Sequence, residues 1–253
     1  MVFKIYYIYY KIRAKIKSTA ALRNSKKEDC PVMDREFWMG PSFPQQPREL
    51  LNRLKSYGVC VVADALKGFN AMNGSIQPVV PGKCICGCAV TVRLHPGDNL
   101  LLHKAIESAQ PGDILVLDTN SSYRRAVIGG IMSGAAFGKG IGGLVVDGAV
   151  RDVEELRAHG WPVFAAAVVP CAADSDGPGQ LNHPISCGGV PVHPGDIILA
   201  DDNGVAVIPP TWVEWVLEGC EKRHQSEARR MAEIRQGQLT SAAVLGKLEK
   251  LGL

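Results

Sequence analysis

The triplet Pro-Gly-Asp occurs three times, at Pro96-Gly97-Asp98, Pro111-Gly112-Asp113 and Pro194-Gly195-Asp196. Proline presets one turn position and glycine accepts the positive φ of the next, so each triplet reverses the chain and no helix or strand runs through it. The stretch after the first, Asn99 to Ser108, predicts a helix with Asp98 placed as its N-cap. The second and third introduce buried strands, Ile114-Leu115-Val116-Leu117 and Ile197-Ile198-Leu199-Ala200. The latter reads as the first arm of a hairpin. Asp201-Asp202-Asn203-Gly204 makes the turn and Val205-Ala206-Val207-Ile208 the second arm, Asn-Gly being the strongest short hairpin signal in the chain.

The rest follows the same grammar. Pro47 to Lys67 predicts two short helices broken at Gly58, and Cys84 to Leu94 a strand. Gly130 to Gly138 predicts a helix rich in small residues, and Leu144-Val145-Val146 a buried strand ending at Asp147. Val153 to His159 predicts a short helix, Val163 to Val168 a strand, and Thr211 to Arg235 a long helix closed near Gly237. Strands alternating with helices, then a hairpin, predict one α/β domain with a mixed sheet over residues 41–253.

Residues 1–40 are set apart by charge. The first 35 hold nine Lys/Arg against three Asp/Glu, a local net of +6, whereas the whole chain carries only +3. The body is therefore mildly acidic, which speaks against a nucleic-acid partner. The basic extension is read as an unstructured tail or as sequence upstream of a start at Met33. No apolar run reaches the ~18 residues that span a bilayer, so no membrane partner is expected. Eight cysteines in a chain of this size, without a secretory signal, suit reduced thiols and a cytoplasmic location. Cys84, Cys86 and Cys88 share one strand face and read as small apolar residues; no companion CxxC or CxxH makes them a metal site.

Several familiar sites are missing: there is no phosphate-binding GxxxxGK[ST], no GxSxG elbow and no histidine pair with zinc spacing. The GxGxxG match at Gly138 to Gly143 precedes a strand rather than opening a helix, so it reads as a helix-to-strand loop. The informative stretch is Val146-Asp147-Gly148-Ala149-Val150-Arg151-Asp152. Ligands of open α/β sheets collect beyond the carboxyl ends of strands, where this Arg-Asp pair falls. Arg151 suits a two-pronged bond to a carboxylate, and Asp152 offers a hard oxygen to a divalent ion. Asp152 and Glu155 also form a capping box, with Asp152 as N-cap and Glu155 three residues on. Both readings stand on the local pattern. Gly129-Gly130-Ile131-Met132 opens a helix whose exposed N–H groups favour an anion, or else answers a need for close packing. Arg124 and Arg125 are candidates for a second substrate carboxylate, or solvated charges.

Taken together these stretches resemble the RraA-like family, which includes the 4-hydroxy-4-methyl-2-oxoglutarate / 4-carboxy-4-hydroxy-2-oxoadipate aldolases. The resemblance runs from about Val59 to Gly237. Its most specific parts are Pro96-Gly97-Asp98-Asn99, Gly112 to Val116, Gly129 to Met132, Val146 to Asp152, and Pro194-Gly195-Asp196 with Ala200 to Gly204. It implies an α/β/α fold assembled as a homotrimer or homohexamer, with active sites between subunits. It further implies that Arg151 binds the pyruvyl part of an oxo-acid substrate and that Asp152 helps hold a divalent metal, Mg2+ or Mn2+. Backbone N–H groups of Gly129, Gly130, Ile131 and Met132 would face the substrate. A glutamate on the C-terminal helix of a neighbouring subunit, at the position of Glu227, would complete the metal site. Where some family aldolases carry an acidic residue beside the metal, this chain has Gly130, which leaves one fewer carboxylate for the ion. The activity implied is retro-aldol cleavage of a 4-hydroxy-2-oxo acid to pyruvate and a second oxo acid, with oxaloacetate decarboxylation through the same enolate. The alternative within the family is a non-catalytic protein that regulates a ribonuclease by binding it.

Overall fold

Two runs of aliphatic residues, Ile114 to Leu117 and Leu144 to Val146, are wholly buried, as suits central parallel strands covered on both faces. The computed structural model describes residues 37–253. In chain order the elements are β1 (Phe37–Met39), α1 (Arg48–Ala65), β2 (Gln77–Pro78), β3 (Ile85–Leu94), α2 (Leu100–Ser108), β4 (Ile114–Asp118), β5 (Ala126–Ile128), α3 (Gly130–Gly138), β6 (Gly143–Val150), α4 (Val153–His159) and β7 (Val163–Val168). There follow β8 (Gly179–Leu181), β9 (Ile185–Cys187), β10 (Val190–Val192), β11 (Ile197–Asp201), β12 (Gly204–Ile208), α5 (Val213–Arg235) and α6 (Ala242–Lys250).

Ten of the twelve strands form a mixed sheet in which β3, β4, β6 and β7 run parallel side by side, and β9 and β10 pair separately. The long strand β3 is shared. Its first half pairs antiparallel with β11, its second half with β4 and β8. The hairpin β11–β12 therefore folds over the parallel strands. Ile198, Ala200, Val205 and Val207 face inward with Val116 and Val145; Ile197, Leu199, Ala206 and Ile208 face outward against α1 and α5. On the opposite side of the parallel strands, α2, α3 and α4 pack over Leu115, Leu117, Leu144 and Val146. The outline is α/β/α, with helices outside and strands within.

The three triplets behave as expected at glycine: Gly97, Gly112 and Gly195 all have positive φ. Their aspartates are buried and busy. Asp113 and Asp196 each reach back three residues, accepting the backbone N–H of Gln110 and of His193 at 2.7 Å. Asp98 is not the N-cap; Asn99 holds that position. Asp98 instead accepts the N–H groups of Leu100, Asp176 and Gly177, tying the loop after β7 to the start of α2. The hairpin turn has a similar double use. Gly58 breaks α1 with a φ of 77°, and the N–H freed at Val59 is accepted by Asp201 at 3.0 Å.

Two boundaries differ from the sequence reading. β1 falls within residues 1–40, because Phe37 to Met39 pair with Gly179 to Leu181, so the folded body begins by Phe37. Residues 1–36, with the expected start at Met33, lie outside the described residues. β6 runs through Asp147 and Gly148 to Val150 rather than ending at Asp147. The Asp147 carboxylate stays satisfied by Tyr123 and the Gly188 N–H. A Cβ on Gly148 would lie 2.5 Å from the Thr119 hydroxyl, so only glycine permits this approach. Cys84 and Cys86 pack beside α1, and burial pushes the Cys86 thiol up to about 12.

Candidate active site

The two loops that leave β5 and β6 lie side by side. β5 pairs with β6 at Ala149 and Val150, and the Arg151 N–H donates to the Ile128 carbonyl at 3.0 Å. The first loop is Gly129-Gly130, opening α3; the second is Arg151-Asp152, opening α4. Asp152 is in the left-handed region, with φ 55° and ψ 46°, and its side chain makes no capping bond. The capping-box reading thus fails, because this backbone turns the carboxylate away from α4 and towards α3. There Oδ2 accepts the Gly130 N–H at 3.0 Å and lies 3.4 Å from Nε of Arg151. A non-glycine residue in such a conformation costs on the order of 1 kcal/mol, which the charge-assisted bond offsets.

Both glycines are needed for proximity, not for φ. A Cβ on Gly129 would fall 2.2 Å from the Asp152 carboxylate and 3.0 Å from Nε of Arg151. A Cβ on Gly130 would fall 1.6 Å from Oε2 of Glu155. A carboxylate therefore stands beside Gly130, delivered from α4 by Glu155. The sequence reading missed this role because it took Glu155 for the capping partner of Asp152. No local signal marks it: Asp152 is left-handed and lies outside α4, so the i, i+3 relation of a helical turn does not hold between the two.

Arg151 and Asp152 stand between two cavities. The larger, about 530 Å³, is lined by Arg151, Asp152, Glu154 and Glu155 with Val168 and Pro170 among its other walls. The smaller, about 200 Å³, reaches Gly129, Ile131 and Met132. Ile131 is 90% exposed at the first turn of α3, whose leading N–H groups have no intrahelical acceptor. Ser133 steadies that turn by donating to the Gly130 carbonyl at 2.8 Å. The site so built is an anion-attracting helix start flanked by one guanidinium and two carboxylates.

Asp152 and Glu155 are hard oxygen donors, a set that suits magnesium, which keeps several waters and takes one or two carboxylates. Among the described residues no three His, Cys, Asp or Glu gather into a metal-binding group. Glu227 is not brought to Arg151 within the chain. It lies on α5, paired at 2.8 Å with Arg223, which also bridges Asp64. Arg125 is bound to Asp174 at 2.7 Å, and neither it nor Arg124 lines either cavity.

Residues 59–207 match the family model described as RraA-like: Aldolase/RraA. A Halalkalibacterium halodurans protein with the provisional name 4-hydroxy-4-methyl-2-oxoglutarate aldolase is 36% identical over 200 residues, covering 79% of this chain and 95% of its own. The Thermus thermophilus 4-hydroxy-4-methyl-2-oxoglutarate aldolase is 39% identical over 112 residues, 44% of this chain and 68% of its own. Among solved structures, Streptomyces coelicolor RraAS2, described as an unusual member of the RNase ES inhibitor RraA protein family, superposes with a TM-score of 0.69. It is 26% identical and covers 75% of this chain and 98% of its own.

Proposed function

The chain belongs to the RraA-like family, and on that premise we propose that it is a divalent-metal-dependent lyase. It cleaves a 4-hydroxy-2-oxo acid to pyruvate and a second oxo acid, and it decarboxylates oxaloacetate. The observation that carries this reading is the meeting of Arg151, Asp152 and Glu155 at the first turn of α3.

Both reactions break a carbon–carbon bond beside the pyruvyl unit and leave its electron pair there as an enolate. Catalysis requires fixed positive charge where that negative charge develops. Arg151 supplies it, with the substrate carboxylate directed to the N–H groups of Ile131 and Met132. Asp152, held by the Gly130 N–H, keeps Arg151 in place. A magnesium or manganese ion, held by Asp152 and Glu155, supplies Lewis-acid stabilisation of the same charge when bound. Glu227 of a neighbouring subunit completes the set in a homotrimer or homohexamer. The proposal includes a cytoplasmic location; the seven cysteines among the described residues are free. No helix among them is long and apolar enough to cross a membrane.

The test is pyruvate release from oxaloacetate. Arg151→Ala loses about 10²–10³ in turnover while remaining folded, the usual effect of removing one such donor. Chelator abolishes the activity and magnesium restores it. Normal turnover by Arg151→Ala, or full activity in excess chelator, would overturn the proposal. The second reading, a ribonuclease-binding regulator, draws on the description of the Streptomyces neighbour. It requires neither Arg151 nor a metal, so the same measurements separate the two.

A further inference from the structure

We propose that Ser133 is a positioning residue for the carboxylate of the oxo acid, acting through the peptide group that joins Gly130 to Ile131. The inference rests on the lyase reading above and adds a residue to the same site. In a helix the N–H groups of Ile131 and Met132 would turn back four residues, to the carbonyls of Val127 and Ile128. Here those two residues belong to β5, and their carbonyls serve other partners. Val127 accepts Nδ2 of Asn99 at 3.2 Å, and Ile128 accepts the Arg151 N–H at 3.0 Å. The amides on either side are satisfied, Gly130 by the Asp152 carboxylate and Ser133 by the Gly129 carbonyl, both at 3.0 Å. Ile131 and Met132 are thus the donors left open, and both line the smaller cavity with Arg151.

The peptide that carries the Ile131 N–H has its carbonyl on Gly130, and Oγ of Ser133 donates to that oxygen at 2.8 Å. Asp152 pins the peptide before Gly130 and Ser133 the peptide after it, at a residue with no side chain of its own to fix either plane. A donor on the carbonyl also draws electron density from the peptide nitrogen, strengthening its N–H by perhaps ~10–30% per bond. Ser133 is wholly buried, out of reach of water and of a neighbouring subunit. His159 of α4 stands behind it, with Nδ1 3.5 Å from Oγ. The only hydroxyl proton is used at Gly130, so Nδ1 faces an oxygen lone pair and is the donor of this longer contact. The order runs from His159 through Ser133 and the Gly130 carbonyl to the Ile131 N–H.

Pyruvate, formed in both proposed reactions, is the probe. Ser133→Ala suits a helix interior, since alanine is the better helix former, and a merely structural serine could be lost there without effect on binding. Calorimetric titration of the full chain with pyruvate and magnesium should instead show affinity weakened about threefold or more, the net worth of one hydrogen bond. Ser133→Cys, of similar size and a weaker donor, should fall between the two, and it carries the comparison by itself if the Ala variant unfolds early. With oxaloacetate, KM should rise more than kcat falls, because the carboxylate is held alike in ground and transition states. His159→Leu should weaken pyruvate binding in the otherwise unaltered chain and have no effect in Ser133→Ala. Unchanged pyruvate affinity in both Ser133 variants would overturn the inference and leave the lyase reading intact. A loss confined to kcat would also count against it, as a general disturbance of the Arg151 site. Equal losses from His159→Leu in both backgrounds would refute the order of donors. Failure of the unaltered protein to bind or release pyruvate would sink the lyase reading and this inference with it.

Discussion

Gly130 lacks a side chain, and the Glu155 carboxylate uses the space. The overlap that a methyl group would create is chiefly with Oε2 and Cδ, the far end of a flexible side chain, while the Glu155 Cβ at 3.1 Å need give by only a few tenths of an ångström. Gly130→Ala should therefore displace Glu155 rather than unfold the protein. We expect a thermal midpoint close to that of the unaltered chain and, under the proposed function, weakened activation by magnesium, read from the ion concentration at half-maximal pyruvate release. Unchanged activation would show that the ion does not depend on Glu155. Gly129 is a different position. Its methyl would press on the Asp152 carboxylate and on Arg151 together, so both groups would have to move. Of this site, Arg151, Asp152 and the glycine loop were legible, because strand, turn and helix start lie within a few residues of one another. Glu155 was not, because its significance depends on Gly130, a partner brought close only by the pairing of β5 with β6.

Among the elements, the break in α1 shows how one turn serves two structures. Asp201 closes the β11–β12 hairpin by accepting the Asn203 N–H at 2.8 Å, and its other oxygen caps the second half of α1 at Val59. Removing an N-cap acceptor costs about 1 kcal/mol. Asp201→Ala should lower stability by at least that much, measured by urea unfolding, because it also strips the turn; a neutral result would show that neither bond matters. Local signals served well here: Gly58, the Asn203-Gly204 turn and the bounds of α3, α4 and β7 all follow from neighbouring residues. The short strands β1, β8, β9 and β10 were not legible. Three residues hold too little pattern, and β1 exists only because Gly179 to Leu181 lie beside it. The helix α6 was also missed. Its apolar residues Val244, Leu245 and Leu248 do fall at helical spacing, so the signal was present, although none of its residues is buried in the chain.

Across the whole molecule the buried turn aspartates give stability an uncommon response to pH. Burial pushes the carboxyls of Asp113 and Asp196 up. The folded state then holds these protons more tightly than the unfolded chain does. Their contribution is full below the unfolded value of about 3.9 and is lost as pH rises through the raised folded value. Asp113→Asn keeps an oxygen for the Gln110 N–H and cannot ionise. Its stability relative to the unaltered protein, from urea titrations at several pH values, should improve as pH rises from 4 towards 7 (about that span, given the reference value). A constant difference would refute the assignment. The assembly carries its own test under the proposed function. Mixed Arg151→Ala and Glu227→Ala subunits should recover activity that neither possesses alone, with subunit exchange verified by mass spectrometry; mixed oligomers without activity would exclude a shared site. The shared strand β3 has a further consequence, for biogenesis. Both partners of its outer edge, β8 and β11, are synthesised long after it, beyond α4 and β7. A ribosome-bound chain must therefore hold an open strand edge until Asp201 has left the exit tunnel. Through that interval neighbouring nascent chains on one message can pair with it, and the yield of active protein depends on translation outrunning such encounters or on a chaperone covering the edge.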